Sequence, residues 1–260
     1  MTKLKAGLSH LGISFVIFLI VLYFIVFKWY PQPFFTSDGG WQGIRIMVGV
    51  DLVLGPLLTT IVFKPGKPGL KFDLTVIGLI QASALAWGIW TVHHQRPIAT
   101  IYVDNYFAPV TFYEIKGQGM TLAKLKAFGD KPPYWIYSDL SHKPDALQKA
   151  RLEALRLGRP IFTFTRYYKP MGVKAMKVMQ DHALDMQTWL KDKPVEMKRY
   201  QKFLLNHQEG KNLIFVPWHA RDKYEIIAMN IATRRFVGSL DIKPPNPTEK
   251  FPTIPGKNKI

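Results

Sequence analysis

One carboxylate stands in the middle of an apolar run. Asp51 is the single charged residue of the stretch 46–63. Burying an aspartate in hydrocarbon costs about 2.5–3.5 kcal/mol on insertion scales, so the residue needs a partner, a water path or a function. Ser83 and the Trp87 indole are candidate partners from a neighbouring helix. Arg45, six positions earlier, would be rotated about 120° away on an ideal helix and is a poor one.

The other groups able to do chemistry are scattered. His93 and His94 are adjacent, so on a helix they point about 100° apart and make a weak metal pair. Asp181, His182 and Asp185 could offer two oxygens and a nitrogen to a cation, or simply face water. The loop Lys64-Pro65-Gly66-Lys67-Pro68-Gly69 resembles a phosphate loop in composition only, because its prolines lack the N–H donors such a loop uses. No Walker loop, G-x-G-x-x-G, H-E-x-x-H or G-x-S-x-G occurs. The chain has no Cys, which excludes disulfides, thiolate metal sites, iron–sulfur clusters and c-type haem attachment. Nothing in these patterns calls for a cofactor, and the reading is of a non-enzymatic protein.

The elements that must position these groups fall into two unlike parts. Residues 1–96 hold 8 Lys/Arg and 3 Asp/Glu, and residues 97–260 hold 27 and 15, so the net charge of +17 divides into +5 and +12. The first part carries three apolar runs, predicting transmembrane helices at about 8–28, 44–63 and 74–93. A helix rises about 1.5 Å per residue, so some 20 residues cross a hydrocarbon core of about 30 Å. The first run leaves through Lys28-Trp29-Tyr30-Pro31 without a small-residue cleavage site, which favours an uncleaved signal anchor over a signal peptide. Gly78, Ala82 and Ala86 put small side chains on one face of the third run and allow close helix approach. That face either packs inside the bundle or docks a foreign helix.

Short-loop Lys/Arg residues set the orientation. Lys3, Lys5, Lys64, Lys67 and Lys71 lie on one side, against Lys28, Arg45 and Arg96 on the other. The N-terminus is therefore expected in the cytoplasm and the C-terminal part across the membrane.

Residues 97–242 read as one α+β domain with an antiparallel sheet. Strands are predicted at 98–103, 109–115, 134–137, 161–168, 213–216, 224–230 and 236–242. Helices are predicted at 121–128, 144–157, 182–190 and 195–207. The proline-rich tail 243–260 is expected to be extended or disordered. Arg166-Tyr167-Tyr168-Lys169 and Lys198-Arg199-Tyr200 interleave cations with rings, yet acidic residues lie throughout and no nucleic-acid-reading module is present. Anionic headgroups of membrane lipids or an acidic protein partner suit this basic domain better than nucleic acid.

Three stretches of the membrane part carry a resemblance. They are Gly39-Gly40-Trp41-Gln42-Gly43, then Val50-Asp51-Leu52-Val53-Leu54-Gly55-Pro56-Leu57-Leu58-Thr59, then Phe63-Lys64-Pro65-Gly66-Lys67-Pro68-Gly69-Leu70-Lys71-Phe72-Asp73-Leu74. They resemble the TfpX/TfpZ family of type IV pilin accessory proteins, and Phe215-Val216-Pro217 extends the likeness weakly into the soluble domain. The resemblance implies an inner-membrane protein that stabilises the major pilin subunit before assembly. A pilin waits there as one membrane helix below a periplasmic head. It also implies a set of pilin-binding candidates: Asp51, Gly55, Thr59, Thr60, Lys64, Gly78, Gln81, Ala82 and Ala86. Lys64, Thr59, Thr60 and Gln81 lie at a depth suited to the glutamate near the cytoplasmic end of a pilin helix. The competing reading is a membrane-anchored enzyme acting on pilin or envelope glycans.

Overall fold

The computed structural model describes residues 2–207 and 212–245. The chain divides at Arg96 into two compact units.

The first unit holds three helices long and apolar enough to cross a membrane: Lys3–Trp29, Gly40–Val62 and Leu70–Gln95. Each starts several residues before its predicted position. The turns that open them explain this better than hydropathy does. Thr2 caps α1 (Lys3–Phe24) by accepting from the Lys5 amide. Gly39 and Gly69, at φ 94° and 80°, adopt the left-handed conformation that glycine tolerates, and a helix begins directly after each. The first span widens into a π-helical turn at Ile25–Trp29. A short α2 (Phe34–Ser37) leads to the second span, built from α3 (Gly40–Met47), a π-helical stretch Val48–Leu54 and α4 (Gly55–Val62). The third span is α5 (Leu70–Gln95).

Close approaches at glycine hold these spans together. A Cβ on Gly7 would overlap the Thr60 hydroxyl, and one on Gly55 would overlap the Gln81 carboxamide. Gly43 likewise faces Val92, and the Tyr30 hydroxyl donates to the Val92 carbonyl at 2.9 Å. No residue of α5 is fully buried.

The second unit is a seven-stranded sheet with helices, in the order β4-β3-β1-β2-β5-β6-β7. The strands are β1 (Pro97–Val103), β2 (Tyr106–Thr111), β3 (Tyr134–Ser138), β4 (Tyr168–Pro170), β5 (Leu213–His219), β6 (Tyr224–Asn230) and β7 (Arg235–Ser239). The helices are α6 (Phe112–Lys116), α7 (Leu122–Leu125), α8 (Pro144–Leu157), α9 (Val173–Asp181), α10 (Met186–Trp189) and α11 (Pro194–Asn206). The sheet is mixed where an antiparallel one was expected. Chain neighbours joined by tight turns do pair antiparallel, as β1–β2 does across Asp104-Asn105, both at positive φ. Two pairings, β1–β3 and β2–β5, are parallel because helical crossovers return the chain in the same direction.

Three elements differ from the sequence reading. The strand expected at 109–115 stops at Thr111, because Thr111 and Glu114 form a capping box that starts α6. The segment expected as a strand at 161–168 is two 3-10 turns, Ile161–Thr163 and Thr165–Tyr167. Thr163 and Thr165 there bond backbone carbonyls of Pro160 and Gln118 instead of supporting a ladder. The helix expected at 182–190 is reduced to α10, Met186–Trp189, since the Leu184 amide bonds the Phe215 carbonyl of β5 and Asp185 caps α10, while α9 ends before it at Asp181. The tail expected from 243 falls mostly outside the described residues.

A candidate site within the membrane unit

The Asp51 region brings together several of the predicted residues. Asp51 lies eleven positions from either end of the second span, Gly40–Val62, within its π-helical stretch. A π turn adds a residue to the helical circuit, and such turns frequently occur at functional sites. Asp51 is 8% exposed. It borders a cavity of about 170 Å³ whose other walls include His10 and Ser14 from the first span and Gly78, Gln81 and Ala82 from the third. Asp51 makes no hydrogen bond among the described residues. The Gln81 Oε1 is buried and meets no donor. Asp51 and Gln81 thus border one largely apolar-walled space, together with His10 and Ser14.

Some of the surrounding polar groups are paired. His10 Nδ1 and the Thr59 hydroxyl are 2.6 Å apart, which ties the first span to the second. The Thr60 hydroxyl donates to the Pro56 carbonyl at 2.7 Å. Gly55 makes room for the Gln81 side chain.

Four predicted residues, Asp51, Gly78, Gln81 and Ala82, therefore share the cavity, and Gly55, Thr59 and Thr60 stand directly behind it. Lys64 and Ala86 do not join it; both are exposed. The partners expected for Asp51 are elsewhere: Ser83 is exposed and Trp87 is 68% exposed. Those pairings rest on depth alone, whereas the packing turns Gln81 toward Gly55 of the second span. His10 and Ser14 were not singled out by the sequence. Their signal was available, since His10, Ile13, Ser14 and Ile17 repeat at helical spacing and all border the cavity.

The small-residue face is open. Gly78, Ala82 and Ala86 are all exposed, and a Cβ on Gly78 would meet nothing within 4 Å. No helix of this chain covers that face among the described residues.

Other polar clusters have local roles. His94 Nδ1 lies 2.8 Å from the Trp90 carbonyl, and the His93 ring packs against Trp29. His182 Nδ1 lies 2.8 Å from the Val178 carbonyl, and Asp185 accepts from the Thr188 amide and hydroxyl. In the basic domain Arg166 pairs with Glu153 and packs on Phe164 and Tyr167. Arg199 donates to the Asp241 carbonyl, and Tyr200 is buried. These cation–ring runs are engaged in the domain's own packing.

Fold and site together define a protein with three membrane-type helices, a cavity among them bordered by a buried aspartate, and an α+β domain following. Its relatives narrow that class. The chain is 35% identical over 96 residues to the fimbrial assembly protein, serogroup E1, of Dichelobacter nodosus. It is 32% identical over 96 residues to that bacterium's serogroup I protein, and 32% identical over 96 residues to the one from serogroups C1 and C2. The match takes in 36% of this chain each time. It spans 37% of the length of the first two relatives and 72% of the third. On that coverage the chain belongs to the fimbrial assembly protein family. No family model and no solved structure matches it.

Proposed function

We propose that the protein is a non-enzymatic accessory protein of type IV pilus assembly, of the TfpX/TfpZ kind, which binds the major pilin in the inner membrane and stabilises it before assembly. The observation that carries this reading is the uncovered Gly78–Ala82 face beside the Asp51 cavity. In lipid no hydrophobic drive brings helices together, so association depends on close packing and interhelical hydrogen bonds. The membrane unit offers both to a single partner helix. The family's fimbrial assembly role supplies the partner class, and the basic charge of the second unit also suits anionic lipid headgroups. With the N-terminus cytoplasmic, the domain from Pro97 onward is periplasmic, where a pilin head would stand.

Two measurements test this. A reporter active only in the periplasm should be active when fused after Ile242 and silent after Pro68; the reverse pattern would overturn the orientation. Ala82→Leu adds about three carbons where helix backbones approach, at a typical cost of about 1–3 kcal/mol. Pilin retention on the purified protein should fall about tenfold, equivalent to about 1.4 kcal/mol. Normal accumulation of Ala82→Leu together with undiminished pilin binding would move the docking face elsewhere. If instead wild-type protein retains no pilin, and turnover of an envelope glycan depends on an Asp or Glu of the second unit, the enzyme reading replaces this one.

A further inference from the structure

We infer that the helix docked on the third span presents a hydrogen-bond donor, a hydroxyl, amide or ammonium, to Asp51 and Gln81. This rests on the helix-docking reading above and specifies the chemistry of the occupant. Three independent observations meet in one place. Asp51 is more than nine-tenths buried and makes no hydrogen bond among the described residues. The Gln81 Oε1 is buried without a donor. Both residues border a cavity of about 170 Å³ whose wall is completed by Gly78 and Ala82, the residues whose small side chains permit close backbone approach.

The asymmetry of the cavity sets the sign of the partner. An ionised carboxylate accepts only, and so does a carboxamide oxygen. Of the nearby groups, His10 Nδ1 is engaged with Thr59 and the Thr60 hydroxyl with Pro56, and none of them is bonded to Asp51 or to the Gln81 oxygen. An incoming carboxylate would set a second negative charge against Asp51, and a bare carbonyl would leave the Asp51 carboxylate and the Gln81 oxygen unpaired, both strongly unfavourable in a low-dielectric site. A donor satisfies them. The residues fix its depth as well, because Asp51 lies midway along its span and Gln81 lies eleven positions after Leu70.

The test is a double-mutant cycle in lipid nanodiscs. Full-length protein, wild type or Asp51→Leu, is titrated with labelled synthetic peptides spanning the pilin's membrane helix. Each peptide has one donor-bearing side chain replaced by alanine, and one has its amino terminus acetylated. Asp51→Leu should weaken binding of the unmodified peptide about tenfold. One donor-deleted peptide should lose the same factor on wild type and nothing further on Asp51→Leu. Gln81→Leu repeats the cycle should Asp51→Leu fail to insert. Equal binding to wild type and Asp51→Leu, or coupling to a carboxylate alone, overturns the donor assignment while the docking reading stands. If the unmodified peptide does not bind wild-type protein at all, the docking reading itself fails.

Discussion

Trp218→Ala should destabilise the second unit by about 3–5 kcal/mol, the usual range for deleting a large buried aromatic. Whole domains are stable by only roughly 5–15 kcal/mol, so this single change should bring the unit close to unfolding. Trp218 is 0% exposed and occupies the seam of the sheet. There β5 meets β2, with Phe107 in register opposite Trp218. The indole packs against Trp135 of β3 at 5.9 Å between ring centroids, and Trp135 packs on Phe236 of β7 at 5.9 Å. Phe107 in turn reaches Tyr102 of β1 at 5.2 Å. A line of rings thus crosses the sheet and ties its first four strands to its last three. Aromatic pairs of this kind contribute about 0.5–1.5 kcal/mol each beyond area burial, so the alanine variant loses packing on both sides of the seam at once. Hydrogen exchange of the β1, β2 and β5 amides in the full-length protein measures the effect, with protection falling together across all three strands. Trp218→Phe, which keeps a ring in place, should lose far less. Unchanged protection in Trp218→Ala would mean the two halves of the sheet are held by something other than this aromatic line.

That seam was the least legible part of the fold. A hairpin announces itself in sequence through a turn between two apolar runs, as the residues between β6 and β7 do. The parallel joins β1–β3 and β2–β5 have no such local signal, because the partners are separated by helices and their contact is tertiary. Pro217 concealed the end of β5 as well. A proline removes a ladder donor and is expected to close a strand, and the expected strand, 213–216, stops just before it. In the structure Pro217 sits opposite Ile226, and pairing continues to His219 opposite Tyr224. Trp218, just behind that proline, is the residue in register with Phe107 where β5 joins β2. By contrast α8, over Pro144–Leu157, was read to the residue, with proline at its start and Gly158 just beyond its end.

The membrane site divides in the same manner. Apolar length made the three helices legible, and a lone carboxylate in hydrocarbon marked Asp51. Its neighbours were not legible, since they depend on rotation between helices. The π-helical stretch Val48–Leu54 makes that rotation harder to read, because an ideal helical wheel no longer applies across it. Gln81 and Ala82 were chosen for a docking face and prove to border the same cavity as Asp51. Lys64 was chosen for depth and lies beyond α4 in solvent-exposed backbone.

Beside Trp218, His219 should give the second unit an acid-sensitive stability that His219→Phe removes. Its ring stacks on Tyr106 at 4.0 Å and meets Tyr224 edge-on at 4.1 Å. Burial pushes the imidazole down to about 4 from its ordinary value of 6.5. The unfolded chain therefore takes up this proton first as pH falls. The stability held by the neutral ring is complete above about pH 6.5 and is lost progressively down to about pH 4. At about 1.4 kcal/mol per pH unit the interval amounts to about 3 kcal/mol. One neighbour works in the opposite sense. Glu225, 2% exposed on β6, has its carboxyl raised by burial, against the pull of Lys223. Its folded form keeps a proton that the unfolded chain has released, so it costs stability as pH rises above the ordinary carboxyl value. His142 is lowered by burial and by Lys174 and has the same sign as His219, but it is more exposed and counts for less. The difference between wild type and His219→Phe isolates the one ring. Urea unfolding of the full-length protein, followed by exchange at the β5 and β6 amides from pH 7 to pH 4, should show wild type losing stability relative to His219→Phe by about 3 kcal/mol. Glu225→Gln should steepen the acid loss, because it removes the term that offsets it. Parallel pH profiles for wild type and His219→Phe would show that the imidazole titrates normally and that the stacked rings at the seam do not exclude water from it.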